Sequence, residues 1–194
     1  MSQAEPLPIL VYPDPFLAKR ARPVTAEELK TGIAGGWDLK ELAQRMQASM
    51  AAEQGLGLAA TQVAVGLRLF LAKVNKDDLD ALVVINPVFS ELRGSAVEEE
   101  GCLSVPGLRA KVKRYTSLHV DGVDLQGRPS SFDAQDLFAR VCQHETDHLD
   151  GILFINRLGM AARLLVRRQL AELEEEYQLA LKRKRQKRAV SVER

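Results

Sequence analysis

The residues of this sequence whose types and spacing best suit catalysis lie in one short stretch. There His144, Glu145 and His148 form the pattern H-E-x-x-H. On a helix, side chains four residues apart lie on the same face, so both imidazoles could bind one metal ion while the glutamate acts as general base. The alternative is a helix with two incidental histidines satisfied by hydrogen bonds. The chain has only three histidines, and two of them lie in this motif, which favours the metal site.

A four-coordinate site with one open position needs a third protein ligand. The metzincins use a histidine six residues beyond the second, but Phe154 stands at that position here. Thermolysin-like enzymes take a glutamate from a later helix, and the candidates at that distance are Glu172, Glu174, Glu175 and Glu176. This run is interpreted more simply as the solvated face of a helix. The remaining choice is a cysteine.

Cys102 lies in Glu100–Ser104, which reads E-G-C-L-S. The preceding glycine would let the backbone approach a ligand closely, and Pro106 is predicted to fix the turn that follows. A thiolate beside two imidazoles would complete a Cys-His-His site whose fourth position is open to water. The competing Cys142 points about 160° away from His144 around the predicted helix, so we expect a small core residue there.

A third segment, Gly55–Gln62, reads G-L-G-L-A-A-T-Q. Its alternating small residues would let another backbone or a substrate lie against the chain. Gln62 carries an amide that could donate a hydrogen bond to a developing oxyanion. A tight connection between a helix and a strand explains the segment equally well.

The histidines are predicted to lie on a central helix. Asp133 is predicted to cap this helix, which runs to about Asp150 with a glycine just past its end. We expect one face of it to be buried, and that face carries Leu137, Val141, His144 and His148.

Two further helices are predicted on either side of the central one in sequence. Asp38 is predicted to cap the first, which ends near Gly55, because apolar residues recur at helical spacing from Leu39 to Met50. The other helix runs from about Met160 into the tail.

The middle of the chain is predicted to form strands. Leu67–Val74 and Leu82–Val88 are short apolar runs with β-branched residues. Leu118 and Val120 alternate with polar neighbours, and the alternation then resumes one residue out of phase, which predicts a β-bulge at Gly122. Strands that follow one another without helices between them favour antiparallel pairing.

The predicted fold class is therefore α+β. Antiparallel β-sheets would pack around the central metal-binding helix, with an N-terminal helix and a long C-terminal helix. Residues 1–194 are predicted to form a single catalytic domain, with a core of about 5–177 and a basic C-terminal extension at 178–194.

Composition excludes several classes of protein. Apolar residues make up 46% of the chain and charged residues 27%, which argues against disorder, and the formal net charge of +1 gives no general attraction to nucleic acid or membrane. Neither a signal peptide nor an apolar run of about 20 residues is evident. Two cysteines without an export signal favour free thiols in the cytoplasm.

Taken together and in order, the three motif segments resemble the peptide deformylase family. The family pattern is G-Φ-G-Φ-A-A-x-Q, then E-G-C-Φ-S, then Q-H-E-x-D-H-L-x-G, where Φ is an apolar residue. Gly55–Gln62, Glu100–Ser104 and Gln143–Gly151 match it without a mismatch at a fixed position. The similarity extends from about Ile9 to the final helix.

The resemblance implies a role for each matching residue. The metal ligands would be Cys102, His144 and His148. Glu145 would be the catalytic acid–base, and the oxyanion would be held by Gln62 and by the backbone N–H of Leu103. Substrate binding would involve Gly57 (through its backbone), Arg109, Leu56, Leu137 and Val141, the last three lining the methionine pocket. Glu98 and Arg140 stand where some members have isoleucine at the pocket edge, which leaves the shape and polarity of the rim open.

The implied reaction removes the N-formyl group from the formyl-methionine of newly made polypeptides and releases formate. Metal-bound water would attack the formyl carbon, with Glu145 as general acid/base. The resemblance implies one divalent ion per chain, natively Fe²⁺, with Zn²⁺, Ni²⁺ or Co²⁺ as substitutes.

Residues 182–188 form a basic run at the end of the last helix. It could stabilise the helix C-terminus and aid solubility, or contact the ribosome near the exit tunnel, as the resemblance suggests. No contact with DNA or a membrane is expected. Two rival functions remain: a metallopeptidase that uses Glu172 or a neighbour as third ligand, and a non-enzymatic nucleic-acid module built on the basic run. The second would need aromatic or basic clusters elsewhere.

Overall fold

The structure, a computed structural model, describes residues 4–192; beyond Arg183 it describes only the side chain of Gln186. The helices are α1 (Ala26–Thr31), α2 (Leu39–Ala52), α3 (Asp136–Leu149) and α4 (Met160–Val192). The strands are β1 (Ile33–Ala34), β2 (Trp37–Asp38), β3 (Gly57–Ala59), β4 (Leu69–Ala72), β5 (Leu82–Arg93), β6 (Ala96–Cys102), β7 (Val105–Arg114), β8 (Ser117–Val123) and β9 (Pro129–Gln135). Short 3₁₀ helices cover Pro15–Ala18, Ala60–Val63 and Phe154–Arg157.

The main sheet has the strand order β3-β4-β5-β8-β9, and each neighbouring pair is antiparallel. β6 and β7 form a separate antiparallel hairpin, and β1 and β2 a small one. α3 packs against β3, β4, β8 and β9, and α4 packs against β7. The α+β prediction, with antiparallel sheets around a central helix and a long C-terminal helix, is confirmed.

α3 packs on the main sheet and is hydrogen-bonded to the β6–β7 hairpin. Phe70 of β4 and Val120 of β8 belong to one buried cluster with Phe138 and Cys142 of α3. A second cluster joins α2 to β3, β4 and β5, and a third joins β7 to α4 and the 3₁₀ helix Phe154–Arg157. Burying one large apolar side chain contributes about 1.5–3 kcal/mol, so the first cluster holds α3 firmly on the sheet.

The helix caps agree only in part with the sequence predictions. Asp38 caps α2 as predicted, with its Oδ1 accepting a hydrogen bond from Glu41 N–H at 2.8 Å. The predicted cap of the central helix is wrong. Asp133 lies in β9, where its Oδ1 is 2.7 Å from Nδ1 of His119. The helix begins three residues later at Asp136, because residues 129–135 pair with β8 instead.

The β-bulge exists, but on the opposite strand from the one predicted. Between Ile85 and Val88 the chain of β5 advances three residues while β8 advances two, from Val123 to Asp121. The extra residue therefore lies in β5, and Gly122 faces it. A side chain at Gly122 would meet the backbone oxygen of Ile85.

The turn after the cysteine also differs from the prediction. Cys102 ends β6 and pairs with Val105, so Leu103 and Ser104 form the turn, and Pro106 lies inside β7. The proline therefore follows the turn and does not fix it. Gly101 pairs with Arg109, and a Cβ there would make only ordinary contacts, the nearest at 3.6 Å.

The last helix is continuous. α4 runs from Met160 to Val192 without interruption at 177, so the boundary between a core of 5–177 and an extension at 178–194 stays a prediction. Residues 193 and 194 lie outside the described residues. No helix in the described part of the chain is long and apolar enough to cross a bilayer.

The connection after α3 makes a prediction about stability. Gly151 has a φ of +74°, and a Cβ there would lie 2.5 Å from the backbone oxygen of Ala18. Gly32 has a φ of +72° with nothing within 4 Å of the added Cβ. Gly32→Ala should therefore cost only the left-handed strain, about 1–2 kcal/mol, and Gly151→Ala should cost clearly more. Urea denaturation measures both, and equal losses would contradict the close contact.

Candidate metal centre

Three potential metal ligands meet where the β6–β7 turn crosses α3. Sγ of Cys102 is 3.2 Å from Nε2 of His148. The ligand atoms of these two residues and of His144 all lie within 4.8 Å of one another. They form the one cluster of this kind among the side chains that the structure describes. A thiolate with two imidazoles fits a tetrahedral ion that keeps a fourth position open.

The rival ligands lie elsewhere. Glu172 is exposed on α4 and accepts a hydrogen bond from Arg168 at 2.9 Å. The cluster that contains the two histidines includes none of Glu172, Glu174, Glu175 and Glu176. Cys142 is fully buried in the core between α3 and the sheet. Burial raises the pKa of its thiol to about 12, which keeps it protonated, as expected of a core residue.

The two imidazoles are held differently. Nδ1 of His144 is 3.0 Å from Oε2 of Glu100, which leaves Nε2 of His144 free to bind a metal. His148 is 1% exposed, and burial lowers its pKa well below the ordinary value, so it is neutral. Its Nδ1 is buried without a hydrogen-bond partner among the described residues.

Glu100 is held at the site through both of its carboxylate oxygens. Its Oε1 accepts hydrogen bonds from Arg114 at 2.9 Å and from Arg140 at 2.6 Å, and its Oε2 accepts one from Arg114 at 3.0 Å. Burial alone would raise the pKa of Glu100, but the hydrogen bonds from His144 and Arg114 outweigh it and hold the pKa at about 2. The carboxylate is therefore ionised at neutral pH and fixes the His144 ring.

Asp147 joins the central helix to two other elements. This buried carboxylate accepts hydrogen bonds from Arg114 on β7 and from Arg157 on the 3₁₀ helix Phe154–Arg157. It lies one residue before His148, so the two arginines fix the helix at the turn that carries the second histidine.

Glu145 lies against the backbone of β3. It is 3% exposed, and burial raises its pKa to about 7. A Cβ at Gly57 would collide with Oε1 of Glu145, so only glycine leaves room for the carboxylate. Oε2 is buried without a hydrogen-bond partner in the described part of the chain. Such a carboxyl group can take up or release a proton near neutral pH.

Gln62 has a fixed amide orientation. It lies in the 3₁₀ helix after β3, and its Oε1 accepts a hydrogen bond from the backbone N–H of Ala59 at 2.8 Å. Its NH₂ group therefore points the other way, 3.1 Å from Oγ of Ser104 and 3.7 Å from Sγ of Cys102. The donor thus faces the candidate centre.

A pocket of about 590 Å³ opens beside these residues. Its lining includes all the predicted substrate-binding residues, namely Leu56, Gly57, Arg109, Leu137 and Val141, together with Leu103. The prediction that the helix face is wholly buried is wrong at one end, because Leu137 is 46% exposed at the pocket mouth. Arg109 is exposed and lies 3.2 Å from Glu99.

Sequence reasoning missed the charged residues that support the ligands. One local signal existed for Arg114. Leu108, Ala110 and Val112 alternate along β7 toward the interior, and the same phase leads to Arg114, which is 6% exposed. A buried arginine requires an acidic partner, but nothing local in the sequence identifies that partner as Glu100.

Comparisons with known proteins agree on one family. The family model described as polypeptide deformylase matches residues 6–163. A peptide deformylase of Alkalilimnicola ehrlichii is 40% identical over 168 residues, covering 86% of this chain and 90% of the relative. The solved structure of a plant peptide deformylase superposes with a TM-score of 0.82 at 31% identity, covering 93% and 95% of the two chains. The structure of a peptide deformylase from Acinetobacter baumannii with bound Met-Ala-Ser superposes with a TM-score of 0.72 at 36% identity. The match covers 80% of this chain and 99% of the relative.

The candidate centre makes a prediction about its two cysteines. If Cys102 binds the metal as thiolate, it should resist alkylation in the metal-loaded protein and react after chelation. Cys142 should stay unreactive in both states because it is fully buried. Mass spectrometry of the labelled peptides measures both rates, with Cys142→Ser as the control. Equal labelling of Cys102 with and without metal would contradict the ligand assignment, as would protection of Cys142 by the metal.

Proposed function

Because this chain belongs to the peptide deformylase family, it is a hydrolase that removes the N-formyl group from new polypeptides, and we propose that the Cys102 centre performs this reaction. The observation that carries the proposal is the meeting of three ligand atoms within 4.8 Å of one another, beside a buried glutamate. The pocket described above leads from this centre to the surface.

The family is metal-dependent, and we propose Cys102, His144 and His148 as the ligands, with Fe²⁺ as the native ion. One thiolate and two imidazoles suit Fe²⁺ and also Zn²⁺, Ni²⁺ and Co²⁺, which explains why these could substitute. When bound, the ion polarises a carbonyl and lowers the pKa of its water from 15.7 to about 7. The neutral state of His148 and the Nε2 of His144 left free by Glu100 support this ligand set.

Glu145 would hold and move the proton. Its pKa of about 7 lets it accept a proton from the attacking water and deliver it to the leaving α-amine. Gln62 and the backbone N–H of Leu103 would donate to the oxyanion that develops on the formyl oxygen. The hydrogen bond from Ala59 N–H orients the Gln62 amide so that its NH₂ group faces the centre.

The substrate would lie across the mouth of the pocket. Leu56, Leu137 and Val141 would receive the methionine side chain, while the backbone of Gly57 and the side chain of Arg109 would bind the peptide. The Acinetobacter baumannii relative with bound Met-Ala-Ser supports a peptide substrate beginning with methionine. A formyl carbon carries only hydrogen, so a tight site would exclude bulkier acyl groups.

The C-terminal helix would bring the enzyme to its substrate. We propose that the basic run at 182–188 contacts the ribosome near the exit tunnel, and that the protein acts in the cytoplasm, where formylated chains emerge. The backbone of α4 continues through this run as one helix.

Removing the charge of Glu145 tests the proton role. Glu145→Gln should bind metal as the wild type does but lose turnover of a formyl-methionyl peptide by about 100-fold or more, because general acid–base catalysis contributes about 10²–10⁴-fold. Formate release and metal content are measured on the same anaerobically loaded samples. Turnover near that of the wild type would refute the assignment.

Truncation after Tyr177 tests the tail. Tyr177 donates a hydrogen bond to Asp14 at 3.1 Å, and this cut keeps that contact between α4 and the N-terminal segment. The truncated chain should hydrolyse a free formyl peptide normally but bind ribosomes more weakly, and the difference should shrink at high salt. Co-sedimentation measures the binding. Equal ribosome affinity of the truncated and full-length chains would mean that the basic run is only a solvated helix end.

A further inference from the structure

Arg140 is a buried arginine on the helix that carries the histidines. It is only 5% exposed, although it lies beside the substrate pocket. Its guanidinium is bonded to the β6–β7 hairpin. There it donates to Oε1 of Glu100 at 2.6 Å and to the backbone oxygens of Val112 at 3.0 Å and Ala96 at 3.2 Å.

A fourth hydrogen bond joins Arg140 to Glu98. Nε of Arg140 donates to Oε2 of Glu98 at 3.1 Å, and the Glu98 side chain is 61% exposed. Glu98 and Arg140, the two residues for which the sequence left the polarity of the pocket edge open, are therefore paired with each other. Hydrogen bonds to the hairpin use four of the five N–H donors of the guanidinium.

Glu100 connects Arg140 to the metal ligands. One of its oxygens accepts from Arg140 and Arg114, and the other accepts from Arg114 and lies 3.0 Å from Nδ1 of His144. Rotation of the Glu100 carboxylate would move Oε2, the atom that bonds the imidazole of His144. Arg114 holds it from β7, and Arg140 holds it from the same helix as His144, one turn earlier.

We propose that Arg140 is a positioning residue for the metal centre: it holds the Glu100 carboxylate in place and so fixes the orientation of His144. The charges agree with this role. Glu100 and Asp147 are buried carboxylates that share Arg114, and without Arg140 the oxygen of Glu100 that now accepts two hydrogen bonds would keep only one. Glu98 acts indirectly, because its carboxylate orients the guanidinium of Arg140. The proposal rests on the function assigned above to the Cys102 centre.

The test measures cobalt release from the Co²⁺-loaded full-length protein in excess EDTA. Arg140→Met should release cobalt about tenfold faster than the wild type, the lower end of the effect of residues that support metal ligands. The visible absorption bands of the bound Co²⁺ should also shift. Arg140→Lys should restore part of the slow release, because it keeps the charge but cannot make all four hydrogen bonds. Glu98→Ala should have a smaller effect than Arg140→Met, since its side chain is largely exposed.

The matched control is Arg93→Met. Arg93 pairs with Glu91 at 2.7 Å in an exposed ion pair at the end of β5, so its loss should change neither the release rate nor the spectrum. A wild-type release rate and spectrum in Arg140→Met would overturn the proposal, even if that variant were less stable to heat. If Arg140→Met does not fold, Arg140→Gln is measured instead and judged in the same way.

Formate release by the wild-type chain is measured in parallel. Its absence would count against the proposed function, whereas the cobalt comparison depends only on metal binding. A change in KM alone, with normal cobalt release, would mean that Arg140 only shapes the pocket, and would also overturn the proposal.

Discussion

The geometry of this site depends on one buried carboxylate, Glu100. The ligands come from two elements that are distant in sequence, because Cys102 ends β6 while His144 and His148 lie on α3. Glu100 lies on the strand of the cysteine and bonds the ring of a histidine, at 3.0 Å, so it ties the two elements together at the ligands themselves. An error of about 1 Å in such a site is enough to impair it.

Burying this carboxylate is expensive unless its charge is compensated. An ion moved into the protein interior loses several kcal/mol of solvation even after relaxation. Arg114 and Arg140 offset that loss through hydrogen bonds to both oxygens of Glu100. Arg114 also donates a hydrogen bond to Asp147. Removing one arginine would leave a buried carboxylate with fewer partners. The stability lost in this way is larger than the stability that the intact ion pair contributes. This charged cluster is therefore better explained by the precision it gives the ligands than by stability.

The central helix has an apolar side and a polar side, and both help to position its catalytic groups. Its apolar side packs against the sheet through Phe138 and Cys142, which fixes the axis, while Arg140 and Asp147 bond the hairpin and the 3₁₀ helix that follows. Glu145 is then held against β3, where Gly57 leaves room for it. The same burial that fixes the carboxyl group raises its pKa to about 7, so position and acidity have a common cause.

The sequence by itself determined the three motifs, the family they indicate, the fold class and the choice of Cys102 over Cys142, because side-chain type and helical period are local properties. Where two strands had to be compared, it failed: the bulge lies in β5 opposite Gly122, and Asp133 pairs in β9 where a helix cap was expected. Only the tertiary structure decided that Arg140 bonds Glu100. Such pairings depend on register and packing between segments far apart in the chain, and no local pattern reports which buried charge will meet which.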